Sequence, residues 1–273
     1  MITEAHVIIL LATGLAVGFA SGLLGVGGGF IMAPVQYLVF LDAGLDADIA
    51  IKMAFGTNLM VIFFTSLSGA WRHNRKGAVI WKAAVVMGIT GAVTALVVAT
   101  FATRLPGEAL RIVFGLVVLL GALRMLLRRW AGSRAERKDN LWIWGAWAVP
   151  IGAVTGLTGL GGGVLAVPIM MMVLKFKMHE AIGTSLAMII FTSIGGLIGY
   201  VIGGWNVNGL PPYSFGYVNL WSWLLLVVGS VGMAQFGALT AHRLPAKQLR
   251  YLFIVLMFFV GLRMLGIFEW LGW

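Results

Sequence analysis

The sequence predicts an all-α polytopic membrane protein built from two inverted-topology repeats. Of its 273 residues, 60% are hydrophobic, 10% are charged and none is cysteine, whereas about a quarter of the residues in a soluble domain are charged. Apolar stretches long enough to cross a hydrocarbon layer about 30 Å thick recur through almost the whole chain. Motifs of the first half also return in the second. These observations exclude soluble enzymes and extracellular disulfide scaffolds.

The internal repeat is marked by its glycines. The segment GLLGVGGGFIMAP at 22–34 returns as GLTGLGGGVLAVP at 156–168, with every glycine and the proline in register. The tetrapeptides at 55–58 and 182–185, and those at 123–126 and 262–265, match in the same order. We therefore predict a first transmembrane repeat over 1–130, a cytoplasmic basic linker over 131–140 and a second, inverted repeat over 141–273.

Each repeat is predicted to contain five helical segments. In the first repeat these are A (6–24), a short B (30–41), C (48–71), D (79–101) and E (109–130), and segments A′ to E′ begin near residue 142. Helices are expected because backbone groups cannot stay unpaired in lipid, and because the runs lack the alternation of membrane β-strands.

Segments A and B should form a glycine-rich broken or re-entrant helical hairpin, which three transmembrane helices follow. Each glycine inside a helix costs about 1 kcal/mol relative to alanine, so the helix should break at 25–29 and at 159–163. Pro34 and Pro168 are expected in the first turn of the next helix. Segment B, with roughly 18 Å of helix, is too short to cross alone. Full crossing and re-entrance both stay open for B and B′.

Segments C to E are oriented by the lysines and arginines, which concentrate in cytoplasmic loops. The loops expected in the cytoplasm carry Arg72, Arg75 and Lys76; Arg128, Arg129, Arg134, Arg137 and Lys138; Lys175 and Lys177; and Arg243, Lys247 and Arg250. The N-terminus, the turn with Asp42, Asp46 and Asp48, and the 205–219 linker lack lysine and arginine and belong outside. This pattern requires that A and B together return the chain to its starting side. Both termini are then extracytoplasmic, and the 203–219 loop could cap the surface.

The candidate binding site lies at the two glycine breaks. A buried helix N-terminus offers unpaired N–H donors and about half a positive charge, and glycine lets a ligand approach the backbone. Inverted repeats with paired broken helices place substrate near the membrane midplane. The predicted substrate-binding residues are Gly25, Gly27, Gly28, Gly29, Gly159, Gly161, Gly162, Gly163, Thr57, Asn58, Thr184 and Ser185.

Other residues have a second interpretation. Lys52 and His179 are candidates for guiding an anion along the pathway, but interfacial positions explain them equally well. Helix–helix bonding is the alternative for the threonines, Asn58 and Ser185. Gly14, Gly18 and Gly22 have the spacing of a helix-packing face, and packing is the preferred interpretation for them.

Several kinds of chemistry have no sequence support. No metal-ligand cluster or nucleotide loop is present, so we predict no metal, no cofactor and no built-in ATPase. An intramembrane hydrolase would need His179 to reach Ser185, but six residues of helix turn the two side chains about 120° apart, so we predict no enzyme. The basic residues cluster at the ends of spans rather than along a polar face, which argues against nucleic acid.

The doubled glycine motif, with Gly-Thr-Asn at 56–58 and His179-x-Ala-x-Gly-Thr-Ser185, resembles the sulfite exporter TauE/SafE family. The resemblance implies a permease for small sulfur-containing anions, such as sulfite, sulfoacetate or other organosulfonates, in the inner membrane of a bacterium or archaeon. The leading hypothesis is a secondary transporter with alternating access around a midplane anion site. A passive anion channel and a non-transporting membrane scaffold or assembly factor are the alternatives. The direction of transport, a homo-oligomeric state and the coupling ion, a proton among the candidates, stay open.

Overall fold

The computed structural model describes residues 3–25, 27–127, 139–240 and 246–267. Its helices are α1 (Glu4–Leu24), α2 (Gly29–Asp42), α3 (Ala47–Asn74), α4 (Trp81–Ala102), α5 (Gly107–Leu127), α6 (Leu141–Thr158), α7 (Gly163–Met172), α8 (Met178–Gly204), α9 (Leu220–Thr240) and α10 (Ala246–Met264). A short antiparallel hairpin of β1 (Ser214–Phe215) and β2 (Val218–Asn219) precedes α9.

This architecture confirms an all-α polytopic membrane protein. In the described ranges, six helices are long and apolar enough to cross a membrane, namely α1, α3, α4, α6, α8 and α9. The first five helices begin and end within three residues of segments A to E. The termini and most of the basic linker lie outside the described residues, so the division into repeats and their inversion stay predictions.

Both predicted glycine breaks are confirmed. Gly25, Gly27 and Gly28 have φ values of 70°, 78° and 70°, and α2 begins at the next residue. Gly159, Gly161 and Gly162 repeat this pattern with φ values of 63°, 70° and 83° before α7. Side chains with a Cβ are strained in this left-handed region, so the turns require glycine.

The predicted position of the prolines is wrong. Pro34 and Pro168 are each the sixth residue of their helix, in its second turn. The reason is that Gly28 and Gly162 already act as helix caps, so each helix begins a full turn earlier than the proline alone would require. Each proline lacks the backbone N–H that would continue the helical ladder at this point.

Each glycine break is the inner end of a helical hairpin. His6 at the start of α1 lies 2.9 Å from the Asp42 carboxylate at the end of α2. In the second half, the ring of Trp144 near the start of α6 lies 6.3 Å from that of Phe176, which follows α7. The outer ends of each hairpin therefore meet. Because α2 and α7 are only about 21 Å and 15 Å long, the breaks lie inside the bundle.

Helices of one half pack on helices of the other through small residues. On α1, a Cβ at Gly14, Gly18 or Gly22 would overlap the backbone of α9. On α6, a Cβ at Gly152 or Gly156 would overlap the backbone of α4. The packing interpretation of the α1 glycines is thus confirmed. Helices α3 and α8 pack on each other between these pairs.

The bundle has two ends of different charge. The junction of α2 and α3 carries Asp42 at the end of α2, Asp46 in the turn and Asp48 in the first turn of α3, and we call this end the acidic face. At the other end, the basic face, Arg72 lies in the last turn of α3, and Arg75 and Lys76 follow in the loop. Lys175 and Lys177 before α8 belong to the basic face, since α8 packs parallel to α4: Gly88 meets Phe191, and Gly199 meets Ala99.

Candidate functional site

The two glycine breaks meet at the centre of the bundle. A Cβ placed on Gly27 would lie 3.4 Å from Ile62 and 3.8 Å from Ile189, and one on Gly161 would lie 2.9 Å and 3.2 Å from the same two side chains. A Cβ on Gly29 would lie 3.3 Å from the Leu160 Cα atom. The breaks predicted from sequence are therefore brought together, between α3 and α8.

Among the described residues, three polar side chains hold these breaks, and one of them, Thr192 on α8, donates to the carbonyl of Gly161 at 3.1 Å. Asn58 Nδ2 donates hydrogen bonds to the carbonyl oxygens of Gly159 at 2.7 Å and Gly29 at 3.2 Å. Ser185 Oγ donates to the carbonyl of Gly25 at 3.0 Å. Asn58 on α3 therefore binds both breaks, and α8 binds the first break through Ser185 and the second through Thr192.

Asn58 also has unused hydrogen-bonding capacity. It is fully buried, and its Oδ1 atom has no hydrogen-bond partner within the described part of the chain. The two breaks sit beside this atom, where α2 and α7 begin. A bound ligand here would meet helix N-termini, which favour negative charge, and one side-chain acceptor.

Thr57 and Thr184 contact loops rather than the breaks. The Thr57 hydroxyl accepts a hydrogen bond from the backbone N–H of Asn219 at 2.9 Å. The Thr184 hydroxyl accepts one from the backbone N–H of Ile80 at 3.0 Å. Their predicted contact with a substrate stays a prediction, since each hydroxyl still carries a proton that it can donate.

Lys52 and His179 lie at opposite faces of the bundle. Lys52 is 5% exposed, and its Nζ atom lies 2.6 Å from a carboxylate oxygen of Asp48. The other Asp48 oxygen accepts the backbone N–H of Gly107 at the start of α5. This pair turns the lysine toward the acidic face. His179 is exposed at the start of α8, on the basic face. The structure therefore does not bring the two side chains together.

Gly28 and Gly162 also have a packing role. A Cβ on Gly28 would overlap Val17 of α1, and one on Gly162 would lie 2.6 Å from Ile151 and 2.7 Å from the Thr155 hydroxyl of α6. Both glycines have positive φ. Bulky substitutions at these positions would therefore disturb each hairpin itself, and loss of transport in such variants would report folding as much as binding.

Three residues near the breaks were not predicted from sequence. Ile62 and Ile189 each lie five residues after Thr57 and Thr184, and this common spacing could have identified them. Gln36 of α2 is fully buried, and neither of its amide atoms has a partner in the described ranges. The sequence feature that could have identified Gln36 is its seven-residue spacing from Gly29, which places the two residues on the same helix face, two turns apart.

The electrostatics of the centre come from dipoles. Of the lysines and arginines whose burial is described, Lys52 is the buried one, and Asp48 neutralises it. At the acidic face, burial and then the Asp48 carboxylate raise the pKa of the Tyr217 hydroxyl, which therefore stays protonated at neutral pH. Among the described residues, no group of histidine and acidic side chains could hold a metal ion.

Comparison with known proteins identifies the family. The sulfite exporter TauE/SafE family model matches residues 10–264. A probable membrane transporter protein of Methanocaldococcus jannaschii is 30% identical, covering 94% of each chain. A probable membrane transporter protein of Haemophilus influenzae is 24% identical over 94% of this chain and 97% of its own length. Bacillus subtilis YunE, also a probable membrane transporter protein, is 26% identical over 96% of this chain and 99% of its own. No solved structure matches. With nearly its whole length matched, the chain belongs to the sulfite exporter TauE/SafE family.

Proposed function

We propose that this chain is a secondary transporter of small sulfur-containing anions, such as sulfite or organosulfonates. The observation that carries the proposal is the meeting of two glycine breaks at Asn58, where two short helices begin inside the bundle. Two helix N-termini supply positive potential without a fixed buried cation. A monoanion or small dianion is the ligand that this environment suits best.

Alternating access requires two halves of opposite orientation, and the helix contacts support this arrangement. From Gly14 to Gly22, α1 meets increasing residue numbers of α9, so the two helices are parallel; α6 is likewise parallel to α4. Helix α3 runs parallel to α9, and therefore also to α1. After a short loop, α4 runs back in the opposite direction, and α6 is parallel to α4. The first helices of the two halves, α1 and α6, therefore point in opposite directions. Rocking of one such half against the other is the mechanism we propose.

A carrier suits the centre better than a passive channel. Ile62 and Ile189 are fully buried, and a Cβ on either Gly27 or Gly161 would contact both, so these two side chains fill the space between the breaks. A passive pore needs a continuous polar or wide path, whereas a carrier must be closed at its centre between turnovers. We further propose a bacterial or archaeal inner membrane, with the acidic face outside and the basic face in the cytoplasm.

The proposal is tested by flux of radiolabelled sulfite and sulfoacetate into proteoliposomes. We expect saturable uptake that Ser185→Ala lowers at least fivefold, because the Gly25 carbonyl loses its donor and an unpaired buried group costs about 1–3 kcal/mol. The matched control is Ser193→Ala on the same helix, since this buried hydroxyl donates to the Ile190 carbonyl of its own turn and is not bonded to either break.

Three outcomes would contradict the proposal. Flux that rises linearly with concentration would indicate a channel. Absence of flux with every sulfur anion, from a protein that is folded and monodisperse, would favour a scaffold. Equal losses in the two serine variants would remove the glycine breaks from the transport site.

A further inference from the structure

Two loops enter the bundle from opposite faces and end on matching residues. The loop that contains Tyr217 approaches from the acidic face, and its Asn219 N–H binds the Thr57 hydroxyl. The loop that contains Ala78 approaches from the basic face, and the Ile80 N–H binds the Thr184 hydroxyl. Both loops lead directly into a long helix, α9 or α4.

Both loops extend past the ends of the neighbouring helices into the interior of the bundle. Thr57 is the eleventh residue of α3, about 15 Å from its start, and Thr184 is the seventh residue of α8, about 9 Å from its start. A glycine makes room for each loop: a Cβ on Gly56 would overlap the Tyr217 backbone, and one on Gly183 would overlap the Ala78 backbone.

The same three consecutive residues contact both a loop and a break. In Gly56-Thr57-Asn58, the glycine admits the loop, the threonine accepts its N–H and the asparagine binds the Gly159 carbonyl. Gly183-Thr184-Ser185 repeats these roles with Ala78, Ile80 and the Gly25 carbonyl. Each loop is therefore linked to one of these break carbonyls through two adjacent residues of a single helix.

We propose that the loops 217–219 and 78–80 are the two gates of the transport pathway, and that Thr57 and Thr184 are the positioning residues that hold them shut. This inference rests on the proposed transport function and adds to it the parts that close each side. Opening one gate breaks one threonine hydrogen bond while the other stays formed. Both gates are closed in this structure, which corresponds to an occluded state.

The gates can be tested with thiol labelling, because the chain contains no cysteine. Ser222→Cys and Ala83→Cys are suitable reporters: both residues are fully buried, and each lies three residues after its gate residue, Asn219 or Ile80. Labelling is measured with a polar methanethiosulfonate reagent on detergent-purified protein, so both faces are accessible and no substrate is needed.

We expect opposite effects from two isosteric variants. Thr57→Val removes the acceptor for Asn219 and should speed labelling of Ser222→Cys at least fivefold, with Ala83→Cys changed less than twofold. Thr184→Val should do the reverse. Thr57→Ser and Thr184→Ser keep the hydroxyl and should label at the parent rate. If the valine variants aggregate, Thr57→Ala and Thr184→Ala remove the same oxygen without adding a methyl group.

Unchanged labelling in both variants, or equal acceleration of both reporters, would overturn the gate assignment. The result is independent of the substrate. If each valine variant accelerates only its own reporter but the parent protein shows no anion flux, the gates are retained and the proposed cargo is rejected. If the parent protein transports sulfite but the valine variants do not distinguish the two reporters, only the gates are rejected.

Discussion

At the scale of single residues, Gln36 is the described side chain with two buried polar atoms that lack a partner. It is fully buried in α2, and neither its amide nitrogen nor its oxygen has a partner within the described ranges. An unmet buried polar group costs about 1–3 kcal/mol. When the glycine motif at 22–34 is aligned with its repeat at 156–168, Gln36 corresponds to Met170 of α7. The first half therefore tolerates a polar group where the second has an apolar one.

We predict that Gln36→Met stabilises the protein by about 1–3 kcal/mol, because it removes two unmet polar atoms and nearly conserves volume. The change is measured as the midpoint of thermal unfolding of the purified protein in detergent. Tyr37→Phe on the same helix is the control for general effects of substitution. A lower midpoint for Gln36→Met would indicate that the amide is satisfied in the membrane.

At the scale of helices, the contact of α1 with α9 depends on the absence of side chains. Gly18 lies against the Ser230 backbone, and a methyl group there would overlap it. Gly232 of α9 has open space around it, and a Cβ added there would meet no described atom within 4 Å. The same chemical change should therefore have opposite effects at these two positions.

We predict that Gly18→Ala destabilises the protein by about 1–3 kcal/mol through overpacking, and that Gly232→Ala stabilises it by up to about 1 kcal/mol through helix propensity. Thermal unfolding in one detergent compares the two variants directly. Similar midpoints for both would contradict the close packing of Gly18 on the α9 backbone.

The helices were predictable from sequence because each depends on local composition. Glycine runs set the breaks, and apolar runs set the spans, so these boundaries agree within a few residues. The depth of the 205–219 loop was not predictable. Pro211 and Pro212 indicate an irregular surface loop, but its last residues enter the bundle because Gly56 of a distant helix leaves space for Tyr217.

Part of the candidate site was also predictable. The structure brings Asn58 and Ser185 to the glycine breaks. The sequence indicated this grouping, because these residues occupy matching positions in the two repeats. The loop contacts of Thr57 and Thr184 were not predictable, because a threonine oxygen gives no sign of which backbone N–H will reach it. Asp48 was predictable as the partner of Lys52, because the two residues lie four positions apart on one helix.

At the scale of the whole molecule, the two charged faces predict orientation. Ala47 is exposed at the acidic face and Lys76 at the basic face. We expect a membrane-impermeant maleimide to label Ala47→Cys in intact cells and to label Lys76→Cys only after permeabilisation, because basic loops stay in the cytoplasm. The reverse pattern would place the acidic face inside.

The exchange of contacts between the halves has a consequence for each half alone. Ser185 of the second half donates to the Gly25 carbonyl, and Asn58 of the first half donates to the Gly159 carbonyl. A half expressed alone would therefore lose one donor to its glycine break and keep another, Asn58 to Gly29 or Thr192 to Gly161. A protein with a single repeat would regain the exchanged contacts only by pairing two copies inserted in opposite directions. In one fused chain the two matching positions can differ, and asparagine stands at 58 where serine stands at 185.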